Sequence, residues 1–529
     1  MTKPKVFYNG RIYTMAGEYL IADSMVISGK IIIAIGCDLQ HDRDFKHAEK
    51  IDLKGRTVLP GFVDAHTHFL FMAQSLENVK LDGLPSLEAA LKKIKKHASG
   101  LKRNEWIIGE GFSVDRWKKY IQPDRHMLDK VSGGRPAAIF SKDQHQLWAN
   151  SRALEIAGIN AGTPEPRGGK IDRDKSGEPT GILREIPGYF PVVKKIASPS
   201  LAKTNRLYRK ALELAYSKGV TGVHTMDGPE AFAFFAETSK KGKLGLRITH
   251  YPPPSLLPEL KKRKVKFNWG DAYFRVGGIK IFSDGSLGSQ TALCFNKYIG
   301  SKNNFGVEVT STEEMIKLVK LSGKAGFPCA IHAIGDRAIS NVLDAYEKTP
   351  KPPHKSRHRI EHLQLIRQSD IKRLKELNVI PSMQPSHCPS DIKLIERYWG
   401  NRGKNCYIFN TLLKKGIQPV FGSDTPIEPL DPIAGISDAV NRTAPGSTKP
   451  FYPNERINNY QAVFGFTAAP WIETGRSVEL GYLLPGCFAD FVILSGDIIN
   501  IPGPKIKSVR VEGTYFDGKL VFKDSRLHF

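Results

Sequence analysis

No apolar run in this 529-residue sequence approaches the ~20 residues of a membrane span, so no transmembrane segment is expected. The opening stretch MTKPKVFYNGRIYTM lacks both a hydrophobic core and a small-residue cleavage site, which argues against a secretory leader. Cysteine is scarce. Cys37, Cys294, Cys329, Cys388, Cys406 and Cys487 are scattered without CxxC spacing, which speaks against a disulfide scaffold and fits free thiols in a reducing cytoplasm. No fixed-period repeat or low-complexity tract is present, which leaves neither a solenoid nor a disordered chain. Acidic residues are few beside basic ones, 53 against 78, and the net charge is +25. Such a balance suits nucleic acid, an anionic membrane surface or an acidic substrate. Yet the basic residues are spread along the chain with no nucleic-acid-binding motif. The densest cluster, KKRKVK at 261–266, reads as a solvated helix end followed by a loop. The charge is read as a lineage-wide surface bias.

What is present is ordinary for a globular protein: 40% hydrophobic and 25% charged residues, in a chain long enough for one large domain with accessories or for two or three domains. Both ends read as β. VFYNGRIYTM and SMVISGKIIIAIG carry short apolar runs broken by Asn-Gly and Ser-Gly-Lys, a hairpin signature, and VEGTYFDGKLVF near the C-terminus repeats it with Asp517-Gly518 as the turn. These segments are expected to pair into one small sheet built from both termini. Between them lie eight strand-like runs, 61–67, 219–224, 246–250, 274–282, 327–332, 358–362, 378–383 and 417–423, most of them separated by helical patterns. SLAKTNRLYRKALELAYSKG is amphipathic and stops at Gly219; DRAISNVLDAYEK follows the fifth run with Asp336 as its expected N-cap. Eight βα units argue a TIM barrel. The long stretch between the first and second runs is far beyond a βα connection and is expected to hold an inserted domain, with strands in RPAAIFSKDQHQLWAN and a hairpin in GGKIDRDKSGEPTGILRE. An insertion there emerges at the catalytic face and reads as a lid.

PGFVDAHTHFL, residues 60–70, places His66 and His68 two apart, so that both aim at one spot, as metal ligands must. Two core or surface histidines would look the same, and the rest of the chain has to decide. Lys280 lies between Ile279 and Ile281 in the fourth run. The fifth run ends at His332, the sixth at His362 and the eighth at Asp424. Six ligand-competent or convertible side chains thus end five different strands, where barrel enzymes place their chemistry. Burial in an apolar strand disfavours a lysine ammonium. A neutral amine beside metal can capture carbon dioxide as a carbamate, whose two oxygens can bridge two cations; a snorkelling or ion-paired lysine is the plain alternative.

The motifs LPGFVDAHTHF, GIKIFSDGSLGSQTA, IHAIGDRAI, RIEHLQL, FGSDTPIEPLDP and GYLLPGCFADFVIL, with HQLWANSRALEIAGI and GEPTGILRE in the insert, together resemble the amidohydrolase superfamily. The branch is the YtcJ-like, or amidohydrolase 3, one that includes N-substituted formamide deformylases, and the likeness spans essentially the whole chain. The resemblance implies an α/β fold: a distorted TIM (β/α)8 barrel over 59–470, a small β-sandwich built from 1–58 and 471–529, and a lid-like insert at 75–200. It implies one or two divalent metal ions, most often zinc. His66 and His68 would bind the first, a carboxylated Lys280 would bridge, His332 and His362 would bind the second, and Asp424 would touch the first metal and the hydrolytic water. TAAP at 467–470 is a loose version of a family segment remote from the metals.

The expected activity is hydrolysis of a non-peptide carbon–nitrogen bond in a small amide, formamide or cyclic amide, with Asp424 as general base and then general acid. Mixed nitrogen and oxygen ligands suit zinc but also manganese, iron or cobalt. Glu185 could reach the site from the insert, His145 could line the lid, His224 could support a ligand, and Asp284 could orient one; surface, structural or loop-capping roles stand beside each. His387 and Cys388 suggest a soft metal-ligand pair, with flexible-loop residues as the better reading. Ester or phosphoester hydrolysis at the same metals, a regulatory protein that kept the fold, and nucleic-acid binding are the competing functions. The expected partners are a small-molecule substrate and a second copy in a homodimer, with no specific nucleic acid and no membrane.

Overall fold

Each of the eight runs carries Val, Ile or Phe, and each contains a strand. The computed structural model describes residues 3–528 and places the strands as β1 (Phe62–Thr67), β2 (Val220–Thr225), β3 (Arg247–His250), β4 (Phe274–Val276), β5 (Ile279–Phe282), β6 (Cys329–Ala333), β7 (Arg359–His362), β8 (Ile380–Met383) and β9 (Val420–Phe421). Their pairings are parallel. Among the described residues the ladders of the expected TIM barrel do not close: they form two sheets, in the orders β4-β3-β2-β1 and β5-β6-β7-β8-β9. The fourth run is split at Gly277-Gly278, where a Cβ on Gly277 would lie 2.5 Å from Thr249 Cγ2 and 2.6 Å from the Tyr251 ring. Strand β3 also runs into Pro252, Pro253 and Pro254, which have no N–H for a ladder. At the other gap β9 has only two residues, just after Pro419. Single backbone bonds still cross both gaps. Lys280 N donates to Pro252 O (3.0 Å) at the first, and Asp424 N to His66 O (2.7 Å) and His68 N to Thr425 O (2.9 Å) at the second.

Helices flank these sheets and bury one face each. In Leu201–Ser217 the buried residues Thr204, Leu207, Tyr208, Ala211 and Ala215 recur at helical spacing, and Gly219 beyond its end takes φ +74°. Asp336 is not the expected N-cap. It is the first residue of the helix Asp336–Glu347, capped by Gly335, and its carboxylate accepts from Phe295 N (3.0 Å).

The terminal segments form a four-stranded sheet (Lys5–Tyr8, Ser24–Ser28, Ile31–Gly36, Glu49–Asp52) and a six-stranded one in which Phe491–Leu494 pairs antiparallel with Thr57–Pro60. One core cluster, including Phe7, Met25, Ile51, Val58, Phe491 and Tyr515, draws on both sheets. Asp517 and Gly518 both have positive φ and join Val511–Phe516 to Lys519–Lys523, as a two-residue hairpin requires. Asn9-Gly10 does not make the expected hairpin. Lys5–Tyr8 and Arg11–Tyr13 lie in different sheets, and the chain crosses between them where a Cβ on Gly10 would meet Leu53 at 2.4 Å.

Between β1 and β2 a separate six-stranded sheet is built from residues 79–184, including the antiparallel pairs Ala137–Ser141 with Gln146–Ala149 and Lys170–Arg173 with Pro179–Arg184. Among the described residues no helix is long and apolar enough to cross a membrane. The six cysteines are unpaired, Cys37 exposed and the other five buried.

Candidate active site

Strand ends and the turns after them bring chemistry-bearing side chains together beside one cavity, whose wall includes His332, His362 and Asp424. His66, the fifth residue of β1, is fully buried, with Nδ1 2.5 Å from Glu361 Oε2 on β7. Its Nε2 faces Asp424 Oδ1 at 3.4 Å, and His68 Nε2 faces the same oxygen at 3.4 Å, so the two imidazoles do converge. This approach depends on Gly422: a Cβ there would lie 2.4 Å from the His66 backbone nitrogen. Asp424 follows with φ +61°, an uncommon conformation for a non-glycine residue. Burial alone would raise its carboxyl; the His66 and His68 imidazoles facing it hold it well below the usual carboxylate range.

On the opposite side His332 and His362 lie with ring centroids 4.5 Å apart, and His362 is 4.9 Å from His66. Burial lowers all three imidazoles below the ordinary histidine value. His332 Nε2 lies 3.0 Å from Gly285 O and donates to it, which leaves the lone pair on Nδ1. Lys280 on β5 is 3% exposed, its Nζ 4.7 Å from the centroid of the Phe282 ring. Burial pushes its amine down to about 8, against the pull of Glu361 and Asp424. Four buried atoms at this place, His66 Nε2, His362 Nδ1, Lys280 Nζ and Asp424 Oδ1, have no hydrogen-bond partner among the described residues. Ligand atoms of His66, His362 and Asp424 all lie within 4.8 Å of one another and could hold a metal ion. Nitrogen and carboxylate donors with unfilled lone pairs fit a divalent cation.

The other predicted residues divide. His145 and Glu185 come together from the insert: Nδ1 and Oε2 are 2.7 Å apart, and the His145 ring lies 5.4 Å from that of His332. Burial alone would lower the imidazole, but Glu185 and Asp143 raise it to about 9. Glu185 has φ +60° and a buried Oε1 with no partner. Asp284 lies beside the site, 3.7 Å from His332 Nε2, and accepts from the backbone nitrogens of Leu293 (2.8 Å), Gly335 (2.9 Å) and Ile334 (3.0 Å). Burial pushes its carboxyl up to about 7. His224 is not brought to the cavity. Its Nδ1 accepts from Arg359 Nη1 (3.0 Å), and its ring packs on Trp471.

Sequence reasoning missed three residues. Arg359 and Glu361 lie two apart on β7 and so share a face; Arg359 Nη2 donates to Glu361 Oε2 (3.1 Å), which holds the carboxylate against His66. A charged pair at i, i+2 in an apolar run was the available signal. His387 is not in a loop. It opens the helix His387–Tyr398, stacks on His362 at 6.1 Å and 17°, and places Nε2 3.9 Å from Asp424 Oδ2. The cavity walls also include Phe112 and Lys142 from the insert and Leu394 and Ile427 from the segments after β8 and β9.

Comparison with known proteins agrees with this geometry. Residues 49–522 match the amidohydrolase family. The chain is 30% identical to the amidohydrolase YtcJ of Bacillus subtilis, over 98% of this chain and 99% of that one. It is 27% identical to the N-substituted formamide deformylase of Arthrobacter pascens, over 97% of each. A metal-dependent hydrolase of Pyrococcus horikoshii is 29% identical, with a TM-score of 0.77 over 95% of this chain and 99% of that one. The chain belongs to the amidohydrolase family, in the branch that holds YtcJ and N-substituted formamide deformylase.

Proposed function

We propose that the protein is a metal-dependent amidohydrolase that cleaves a non-peptide carbon–nitrogen bond of a small amide, formamide or cyclic amide. The observation that carries this reading is the group of buried, unpartnered atoms on His66, His362 and Asp424, residues that offer ligand atoms within 4.8 Å of one another. His66 and His68 would hold one divalent ion and His332 and His362 a second, zinc being the first choice. Bound there, such ions supply Lewis acidity to a carbonyl oxygen and to water. Lys280, whose amine burial lowers to about 8, would in its neutral fraction add carbon dioxide to give a carbamate and release one proton, and the carbamate oxygens would then be available as ligands. Asp424 takes the proton of the attacking water and returns it to the leaving nitrogen. Glu361 accepts from His66 Nδ1 and so fixes the tautomer that turns Nε2 toward the site.

The same reading makes the two parallel sheets a distorted (β/α)8 barrel over 59–470. The terminal sheets form a β-sandwich of 1–58 with 471–529, and 75–200 is a lid, supported by its residues in the cavity wall. Six unpaired cysteines support a cytoplasmic location. The test is a panel of N-formyl, N-acetyl and cyclic amides, with matched esters and phosphoesters, offered to protein reconstituted with zinc, manganese or cobalt. Turnover of amides above that of esters is expected. Turnover of phosphoesters alone would overturn the choice of bond.

A further inference from the structure

His387 is an imidazole of the cavity wall, 12% exposed, for which the proposed chemistry has no use. It lines the same cavity as His332, His362 and Asp424, and its Nε2 is buried without a hydrogen-bond partner among the described residues. It lies outside the compact group of His66, His362 and Asp424. Its position is fixed. The residue is in the first turn of a twelve-residue helix, next to buried Cys388 and Pro389, and its ring is stacked at 17° on His362. Nε2 looks at Asp424 Oδ2 across 3.9 Å. A carboxylate oxygen accepts and does not donate, so this neighbour favours the tautomer with the proton on Nε2; His66 differs, since Glu361 holds its proton on Nδ1 and turns its lone pair to the site. A buried donor with nothing to donate to carries a desolvation cost unless a ligand completes it. The distance leaves room for a substrate atom beside the carboxylate that moves the proton.

We propose that His387 is a catalytic residue that donates a hydrogen bond from Nε2 to the substrate's carbonyl oxygen as that oxygen becomes the tetrahedral oxyanion. This rests on the hydrolase reading above. When water oxygen bonds to the carbonyl carbon, the π pair moves to the carbonyl oxygen and the water proton goes to Asp424. His387 keeps its own proton throughout. A donor aimed at an atom whose charge grows strengthens in the transition state, so its effect falls on kcat more than on KM.

The test compares His387→Ala and His387→Asn with the parent in three measurements: metal content, steady-state kinetics on the N-formyl and N-acetyl amines, and calorimetric titration with methylphosphonate, a tetrahedral counterpart of a hydrated acetyl group. In His387→Ala we expect kcat to fall by about 10²- to 10³-fold with KM changed little, the typical loss for one oxyanion donor. Methylphosphonate should bind more weakly by a comparable factor while metal content stays that of the parent. His387→Asn, which keeps an N–H donor, should recover part of both losses and also covers the case in which the alanine variant misfolds. Loss of metal in either variant would make His387 a ligand and overturn the proposal, as would parent-like kcat or parent-like methylphosphonate affinity in a folded variant. A parent that turns over no amide would overturn the hydrolase reading instead, and the phosphonate titration would still decide whether His387 faces the ligand.

Discussion

Asp424 is the residue on which proton movement turns. It is buried, stays ionised, and shares Oδ1 with two imidazoles. Asp424→Asn keeps the shape but cannot accept a proton. Turnover is expected to drop by about 10²- to 10⁴-fold with the fold retained, as read by steady-state kinetics beside circular dichroism. Parent-like turnover would move the base elsewhere, with Glu185 next to examine. Lys280 gives a second prediction. Lys280→Ala removes the bridging anion and should lose metal, and added acetate should partly restore both metal content and turnover. Lys280→Arg keeps the charge, forms no carbamate, and should be inactive. Full activity in Lys280→Arg would reduce the site to a single ion. Because burial brings the amine down to about 8, its neutral, nucleophilic fraction grows as pH rises through that value. At a fixed concentration of dissolved carbon dioxide, metal uptake by stripped protein should therefore be faster at pH 8.5 than at pH 6.5. A pH-independent uptake rate would contradict the carbamate.

At the scale of the element, the ends of strands made most of the candidate site legible. His66, His332, His362 and Asp424 each lie at or just past the end of an apolar run, and the period of two put His66 and His68 on one side. The same rule would have found Arg359 and Glu361, since both sit inside β7 with alternate spacing. His387 was illegible for a different reason. QPSHCPSD has the composition of a turn, but Pro389 falls in the first turn of the helix, where its missing N–H costs nothing. The break at Gly277-Gly278 lies against Thr249 and the ring of Tyr251, a tertiary contact that no local pattern announces. The turn after β9 has its own constraint. Gly422→Ala would force a methyl into the His66 backbone, and a loss of about 1–3 kcal/mol in denaturant unfolding is expected, with reduced metal content. The insert touches the segments after β9 and β5 through Lys142 Nζ to Glu428 Oε1 (3.1 Å) and Ser286 Oγ to Asp143 Oδ2 (2.6 Å). Substitution of His145 or Glu185 should accordingly change turnover or substrate preference at constant metal content. Unaltered kinetics across the amide panel would demote the pair to structure.

For the whole molecule, the account joins two sheets, a terminal β layer and an insert around one cluster of unsatisfied donors and acceptors. The alternation of strands and helices was readable because each run is apolar and bounded. Which strands share a ladder was not, because a two-residue β9 and a proline-terminated β3 leave gaps that depend on three-dimensional closure. The central claim is that the cluster of His66, His362, Lys280 and Asp424 holds divalent metal on which activity depends. Elemental analysis of purified protein, before and after chelation and in His66→Ala and His332→Ala, tests it most directly. The account predicts one to two divalent ions per chain, removed together with activity by a chelator, restored together on adding metal, and reduced in both variants. A folded protein that is free of metal and fully active would contradict it.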